Sequence, residues 1–108
     1  MPKTITRQLL QARLAASAPV LLEALPAKYY DQGHLPGALH FPHDEARARA
    51  VKLVPDKTAE IVVYCASDTC QNSHIAAATL TALGYTNVSV YAAGKKDWVE
   101  ADLPLQSG

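Results

Sequence analysis

Cys65 stands where a run of strand-forming residues ends and a polar loop begins. The run is EIVVYC at residues 60–65, and a helical pattern opens at Ser73 after the loop. A helix N-terminus and the N–H groups of a tight loop both favour the thiolate form of a nearby cysteine. The sequence therefore predicts a reactive Cys65; the alternative is a buried, inert cysteine, since cysteine is commonly buried. The loop residues that would surround a ligand on Cys65 are Ala66, Ser67, Asp68, Thr69, Cys70 and Gln71.

A second thiol, Cys70, lies in the same loop. It could resolve an oxidised or sulfur-loaded Cys65 by forming an intramolecular disulfide, as the second thiol of a redox sensor does. That role requires the two Cα atoms to lie within about 7 Å of each other. The alternative is that Cys70 is a small residue that fills the loop.

Two polar residues open the helix after the loop and are supporting site candidates. Ser73 is of the type preferred at an N-cap, and its hydroxyl could instead face the Cys65 thiolate. His74 could supply positive charge near Cys65, because histidine titrates in the physiological range. The alternative for His74 is a solvated position in the first turn.

The remaining patterns predict strands that alternate with helices. Such alternation indicates an α/β fold with a mostly parallel sheet flanked by helices. Ligands of such sheets bind beyond the carboxyl ends of the strands, where Cys65 lies. Thr6 and Asp44 are candidate N-caps, and Gly33 and Gly84 are candidate helix ends. The predicted strands are 3–5, 20–23, 38–41, 61–65 and 88–91, and the predicted helices are 7–16, 27–32, 45–53, 73–83 and 95–101.

Length and composition restrict the function classes. The 108 residues suit one domain, 1–108, and 49% hydrophobic residues are typical of a globular chain. Ten basic and ten acidic residues cancel, which disfavours nucleic acid or an anionic membrane as partner. No run is apolar enough for a membrane span or a good signal peptide, so we expect a cytoplasmic protein with reduced thiols. His34, His40 and His43 lack the spacing of a zinc site, so we expect no metal.

Cys65 and its loop, together with GHLPGA at residues 33–38, make the chain resemble a single-domain rhodanese, which is a sulfurtransferase. The resemblance implies a three-layer rhodanese-like sandwich around a central parallel sheet. It implies that Cys65 takes a sulfane sulfur from a donor such as thiosulfate or a persulfide, and passes it to cyanide, a small thiol or a protein thiol. No cofactor is implied. Supporting matches, in the family's order, are VLLE at 20–23, LGYTNV at 83–88, Ala93-Gly94, Trp98 and Leu103-Pro104.

The chain departs from the family pattern in its active-site loop, which reads Cys-x4-Cys-x2-Ser. The family usually has Arg where this chain has Cys70, and the loop is about two residues longer before the helix. No Arg or Lys lies between Cys65 and Lys95, and Asp68 adds negative charge. A dianionic donor prefers a cation in its site. We therefore expect weak use of thiosulfate and a preference for a persulfide donor.

Two further positions are left open. The family's Asp-x-Arg pattern is replaced by residues 23–25 (EAL), so the role of that ion pair must be met elsewhere in the fold. Lys95 and Lys96 follow Gly94 and could attract anionic donors; a plain solvated pair is the alternative.

Other functions compete with sulfur transfer. The main alternative is a thiol redox module that uses Cys65 and Cys70 as a pair. A phosphatase or arsenate reductase is disfavoured, because those reactions need an Arg to bind the oxyanion and this loop has none. A non-catalytic binding module on the same scaffold is disfavoured by the retained cysteine.

Overall fold

The computed structural model describes residues 2–107 and shows an alternation of strands and helices. A 3-10 helix, His43–Glu45, precedes the third α-helix. The strands are β1 Lys3–Thr4, β2 Val20–Glu23, β3 Leu39–His40, β4 Ile61–Tyr64 and β5 Val88–Tyr91. The α-helices are α1 Arg7–Ala16, α2 Ala27–Gln32, α3 Ala46–Leu53, α4 Asn72–Ala82 and α5 Gly94–Glu100.

All five strands form one parallel sheet in the order β1-β5-β4-β2-β3. Parallel neighbours need long crossover connections, and helices supply them here. β4 is central, and all four of its residues are buried because both faces of the sheet are covered. The predicted α/β fold is confirmed, and Cys65 follows the carboxyl end of the central strand.

The sheet divides the hydrophobic core into two layers. Successive side chains of a strand point to opposite faces. Ile61 and Val63 therefore pack with the residues of α3 and α4, whereas Val62 and Tyr64 pack on the other side with Leu10 of α1 and Trp98 of α5. This is the three-layer sandwich predicted from the sequence.

The start of α1 and the end of α4 agree with the caps predicted from the sequence, whereas the end of α2 differs. Thr6 is the N-cap of α1, and its Oγ1 accepts a hydrogen bond of 3.2 Å from the backbone N–H of Leu9. Gly84 follows α4 with a φ of +98°, a conformation that favours glycine. Gly33 does follow α2, but its φ of 164° is extended backbone, so no left-handed cap ends that helix.

Two predicted N-caps are wrong. Asp44 lies inside the 3-10 helix, where the N–H of Glu45 donates to the carbonyl of Pro42, and α3 begins only at Ala46. Ser73 lies inside α4, which begins at Asn72 after Gln71, and Gln71 makes no side-chain cap hydrogen bond. The 3-10 helix thus delays the start of α3 to Ala46, whereas α4 starts one residue before Ser73.

None of the helices within residues 2–107 is long and apolar enough to cross a lipid bilayer.

Candidate active site

Cys65 and Cys70 are joined by a disulfide bond. Their Cα atoms lie 6.4 Å apart, within the range that a disulfide spans. Cys65 is 1% exposed, whereas Cys70 is half-buried. The structure thus meets the distance condition for a resolving thiol at Cys70, and the role itself stays a prediction.

The loop between the two cysteines is a tight turn. The N–H of Cys70 donates to the carbonyl of Ser67 at 3.1 Å, and the hydroxyl oxygens of Ser67 and Thr69 are 3.1 Å apart. These bonds turn the chain back so that Cys70 reaches Cys65. Of the predicted loop residues, Ser67 is half-buried, and those exposed to solvent are Ala66, Asp68, Thr69 and Gln71.

Ser73 and His74 point in different directions from the start of α4. Ser73 is buried, and its Oγ lies 3.5 Å from Cys65 Sγ. A disulfide sulfur carries no proton, so only the Ser73 hydroxyl can donate here. His74 is exposed, and within residues 2–107 no hydrogen bond involves its side chain. Ser73 therefore faces the sulfur, while the position of His74 fits the solvated alternative.

The expected open cradle of amides around Cys65 is not present in this disulfide-bonded form. Across residues 2–107, no backbone N–H donates to Cys65 Sγ, and the side chain is almost completely buried. The reason is that the sulfur is bonded to Cys70 and faces the Ser73 hydroxyl. A reactive Cys65 therefore requires reduction of the disulfide.

The start of α5 holds the Cys65 end of the loop. The N–H of Lys95 donates to the carbonyl of Cys65, and the N–H of Lys96 donates to that of Ala66, both at 2.8 Å. Gly94 has a φ of +74°, and a Cβ at this position would lie 2.7 Å from the Cys65 carbonyl oxygen and 2.8 Å from Ser67 N. Only glycine fits so close an approach without displacing the loop.

An ion pair lies beside this junction. Glu23 is 0% exposed, and its Oε1 lies 2.9 Å from Lys95 Nζ. The Lys95 side chain is 16% exposed and also donates to the carbonyl of Tyr29 at 3.2 Å. Glu23, the first residue of the segment that replaces the family's Asp-x-Arg pattern, thus forms an ion pair with Lys95. Lys96 is exposed, so the two lysines are not a solvated pair.

Tyr64 extends the network to the 33–38 segment. Its hydroxyl donates to Glu23 Oε1 at 2.7 Å and accepts from the N–H of Leu35 at 3.0 Å. Burial, and then the negative charge of Glu23, raise the pKa of Tyr64 far above its ordinary value. Tyr64 therefore stays a neutral donor. Glu23 Oε2 is buried and has no hydrogen-bond partner within residues 2–107.

The comparison with protein families decides the identity of the fold. Residues 6–101 match the family described as Rhodanese-like domain. The chain belongs to the rhodanese-like domain family. The resemblance seen in the sequence is thereby confirmed at the level of the family.

Relatives of this rhodanese-like chain differ in length. The thiosulfate sulfurtransferase PspE of Escherichia coli is 34% identical over 94 residues, which cover 82% of this chain and 88% of that protein. The HTH-type transcriptional regulator Rv0324 of Mycobacterium tuberculosis is 32% identical over 104 residues, or 96% of this chain. This chain spans only 45% of the regulator.

Solved structures show the same architecture. The rhodanese-like domain of the Anabaena protein Alr3790 superposes with a TM-score of 0.85 and 26% identity, covering 100% of this chain and 81% of that one. The human single-domain sulfurtransferase TSTD1 superposes with a TM-score of 0.81 and 23% identity, covering 93% of this chain and 97% of that one.

Two histidines of this rhodanese-like chain, His34 and His40, have structural partners. The buried His34 ring stacks on Tyr30 at a centroid distance of 3.9 Å, and its Nδ1 lies 2.9 Å from the Tyr30 carbonyl oxygen. His40 Nε2 lies 2.8 Å from the carbonyl oxygen of Leu25. Within the described residues, no three His, Cys, Asp or Glu side chains are grouped as metal ligands.

Sequence reasoning did not predict that Tyr64, Glu23 and Lys95 contact one another. Their positions along the chain are far apart, so spacing could not connect them. One signal was available: a glutamate and a tyrosine at the ends of two buried strands need polar partners, and the carboxyl ends of parallel strands share one edge.

Proposed function

We propose that this rhodanese-like domain is a sulfurtransferase that carries a sulfane sulfur as a Cys65 persulfide. The position of Cys65 carries the proposal. Cys65 follows the central strand, its carbonyl accepts a hydrogen bond from the N–H of Lys95, and its sulfur faces Ser73 in the first turn of α4. The relative PspE is a thiosulfate sulfurtransferase, which supports the reaction class. We propose that residues 1–108 act as one domain.

The proposed reaction has two displacement steps. After reduction, the Cys65 thiolate attacks the sulfane sulfur of the donor, the new S–S bond forms, and the rest of the donor leaves as a thiolate or sulfite. A thiolate or cyanide then attacks the outer sulfur, and Cys65 leaves as a thiolate. The Ser73 hydroxyl and the N-terminus of α4 favour the anionic sulfur in both steps.

The charges near the loop favour a monoanionic persulfide over thiosulfate as donor. The residues between Cys65 and Lys95 include no Lys or Arg, and Asp68 is exposed in the loop. The charge of Lys95 is compensated by Glu23. A dianion would therefore lack a dedicated cation, whereas a persulfide carries less charge. Cytoplasmic thiols, small or on a protein, are the proposed acceptors, and a reducing compartment keeps Cys65 available.

Mass spectrometry of the reduced protein tests the proposal. Separate incubations with glutathione persulfide and with thiosulfate are followed by analysis of the Cys65 peptide. In Cys70→Ser, where no second thiol can displace the sulfur, we expect a gain of one sulfur atom on Cys65, more with the persulfide; Cys65→Ser should gain none. Undiminished sulfur transfer by Cys65→Ser would rule out the proposed intermediate.

The disulfide supports a second candidate, a thiol redox module. Cys65 and Cys70 already form the bond that such a module would make and break. This function predicts a defined reduction potential and a loss of two hydrogen atoms on mild oxidation, in the absence of any sulfur donor. A Cys70→Ser variant with unaltered oxidation behaviour would argue against it.

A further inference from the structure

We propose that Cys70 is an internal acceptor that reduces the Cys65 persulfide and releases its outer sulfur as hydrosulfide. The inference rests on the proposed function, because it needs a persulfide on Cys65. It adds an outcome to the reaction: a persulfide substrate yields free hydrosulfide and an oxidised protein, instead of a sulfur passed to an external acceptor.

The Cys65 end of the loop is bonded to α5 and the Cys70 end closes a turn within the loop, which keeps the two sulfur atoms together. The Cys65 carbonyl is bound by Lys95 N–H, and the Cys70 N–H is bound by the Ser67 carbonyl. The Cα separation of 6.4 Å lets the side chains bond without moving these ends. A thiol held in this way attacks at a high effective concentration.

The burial of the two cysteines gives the internal thiol an advantage. Cys65 is 1% exposed in the disulfide form, and its Sγ lies between Cys70 and the Ser73 hydroxyl. Cys70 is the neighbour that reaches this atom. Cys70 can therefore attack the inner sulfur of a Cys65 persulfide, whereas an external acceptor attacks the outer sulfur.

The step balances without an external oxidant. The Cys70 thiolate attacks Cys65 Sγ, the bond between Cys65 Sγ and the outer sulfur breaks, and the protonated outer sulfur leaves as hydrosulfide. Two electrons pass from the two cysteines to the sulfane sulfur, which becomes sulfide. The products are the observed Cys65–Cys70 disulfide and one hydrosulfide ion.

Renewal of the thiols requires a reductant, and we assign this to a dithiol or a cellular thiol. Cys70 is the more exposed partner of the disulfide, so the incoming thiolate attacks Cys70 Sγ. Cys65 then leaves as the thiolate, next to the Ser73 hydroxyl and the N-terminus of α4. The attack at Cys70 returns Cys65 to the form that accepts the next sulfur.

A single-turnover experiment under anaerobic conditions tests the inference. Reduced protein is first freed of its reductant and then treated with one equivalent of glutathione persulfide in a closed vessel, and total sulfide and intact mass are followed without added thiol. For the wild type we expect about one sulfide per protein and a final mass lower by two hydrogen atoms. Cys70→Ser and Cys70→Ala should retain the added sulfur and release sulfide at least about 100-fold more slowly. Cys65→Ser is the control that cannot load.

The possible outcomes separate the inference from the proposed function. A wild type that keeps its added sulfur, without forming the disulfide, would overturn the inference while the sulfurtransferase proposal stands. Equal sulfide release from wild type and both Cys70 variants would also overturn it. If neither the wild type nor the Cys70 variants gain sulfur, although circular dichroism shows them folded, the proposed function itself fails.

Discussion

At the scale of single residues, Gly94 has the most restricted position near the site. Its backbone adopts a φ of +74° and lies against the carbonyl of Cys65 and the amide of Ser67. Gly37 has a similar φ of +82°, but a Cβ there would have no neighbour within 4 Å. A comparison of alanine substitutions at the two glycines therefore separates the cost of backbone strain from the cost of steric overlap.

We predict that Gly94→Ala destabilises the protein more than Gly37→Ala does. The shared strain costs about 1–2 kcal/mol, and the overlap with the loop backbone adds about 1–3 kcal/mol at position 94. Urea denaturation of the reduced proteins measures both. Gly94→Ala should also slow sulfur loading of Cys65, because its Cβ displaces the loop. Equal losses of stability in the two variants would show that the close approach has no cost.

At the scale of elements, α5 connects the Cys65 loop to the edge of the sheet. Lys95 contributes twice: its N–H binds the Cys65 carbonyl, and its ammonium group neutralises Glu23 at the end of β2. Glu23 also accepts the hydroxyl of Tyr64 from β4. One buried network therefore joins α5, β2 and β4 directly beneath the loop.

We predict that Lys95→Met lowers the free energy of unfolding by about 3 kcal/mol, because it leaves Glu23 buried without its cation. Lys96→Met, on the neighbouring exposed residue, should change stability by less than about 0.5 kcal/mol. Adding Glu23→Gln to Lys95→Met should recover part of the loss, since the buried charge is then removed. Chemical denaturation checks all three variants, and a Lys95→Met protein as stable as Lys96→Met would contradict the role of the pair.

At the scale of the whole molecule, buried tyrosines connect folding to alkaline pH. Burial raises the pKa of Tyr64 and of Tyr91, and the Tyr91 hydroxyl in addition donates to Asp97. In the unfolded chain these groups lose their protons near pH 10. Above that pH the unfolded state binds fewer protons than the folded state, so stability falls as pH rises.

We predict that the free energy of unfolding is insensitive to tyrosine ionisation below about pH 9 and decreases above about pH 10. Tyr64→Phe should reduce that slope by up to about 1.4 kcal/mol per pH unit, while lowering stability at pH 7 through the lost hydrogen bonds. Tyr29→Phe, on a side chain that is 44% exposed, is the control. Denaturation curves at several pH values give the slopes, and identical slopes for Tyr64→Phe and wild type would contradict the assignment.

Much of the fold could be predicted from the sequence, because it depends on local patterns. The apolar run at residues 61–65 predicts a strand covered on both faces, which the structure forms at Ile61–Tyr64, and Thr6 before Arg7–Ala16 predicts a helix with its cap. Alternating elements predict a parallel sheet, which places Cys65 at the edge where ligands bind. The motifs of the family are also short local segments, and their order along the chain can be read from the sequence.

The arrangement at the site depended on contacts between distant segments, which no local pattern encodes. Ser73 has the residue type of a cap, yet packing places it inside α4 and against Cys65. Glu23 and Lys95 become partners only because β2 and α5 meet at the same edge. The sequence alone determined which elements form and which thiol follows the central strand. The tertiary structure decided that this thiol is buried and bonded to Cys70, since burial and proximity depend on how the whole chain packs.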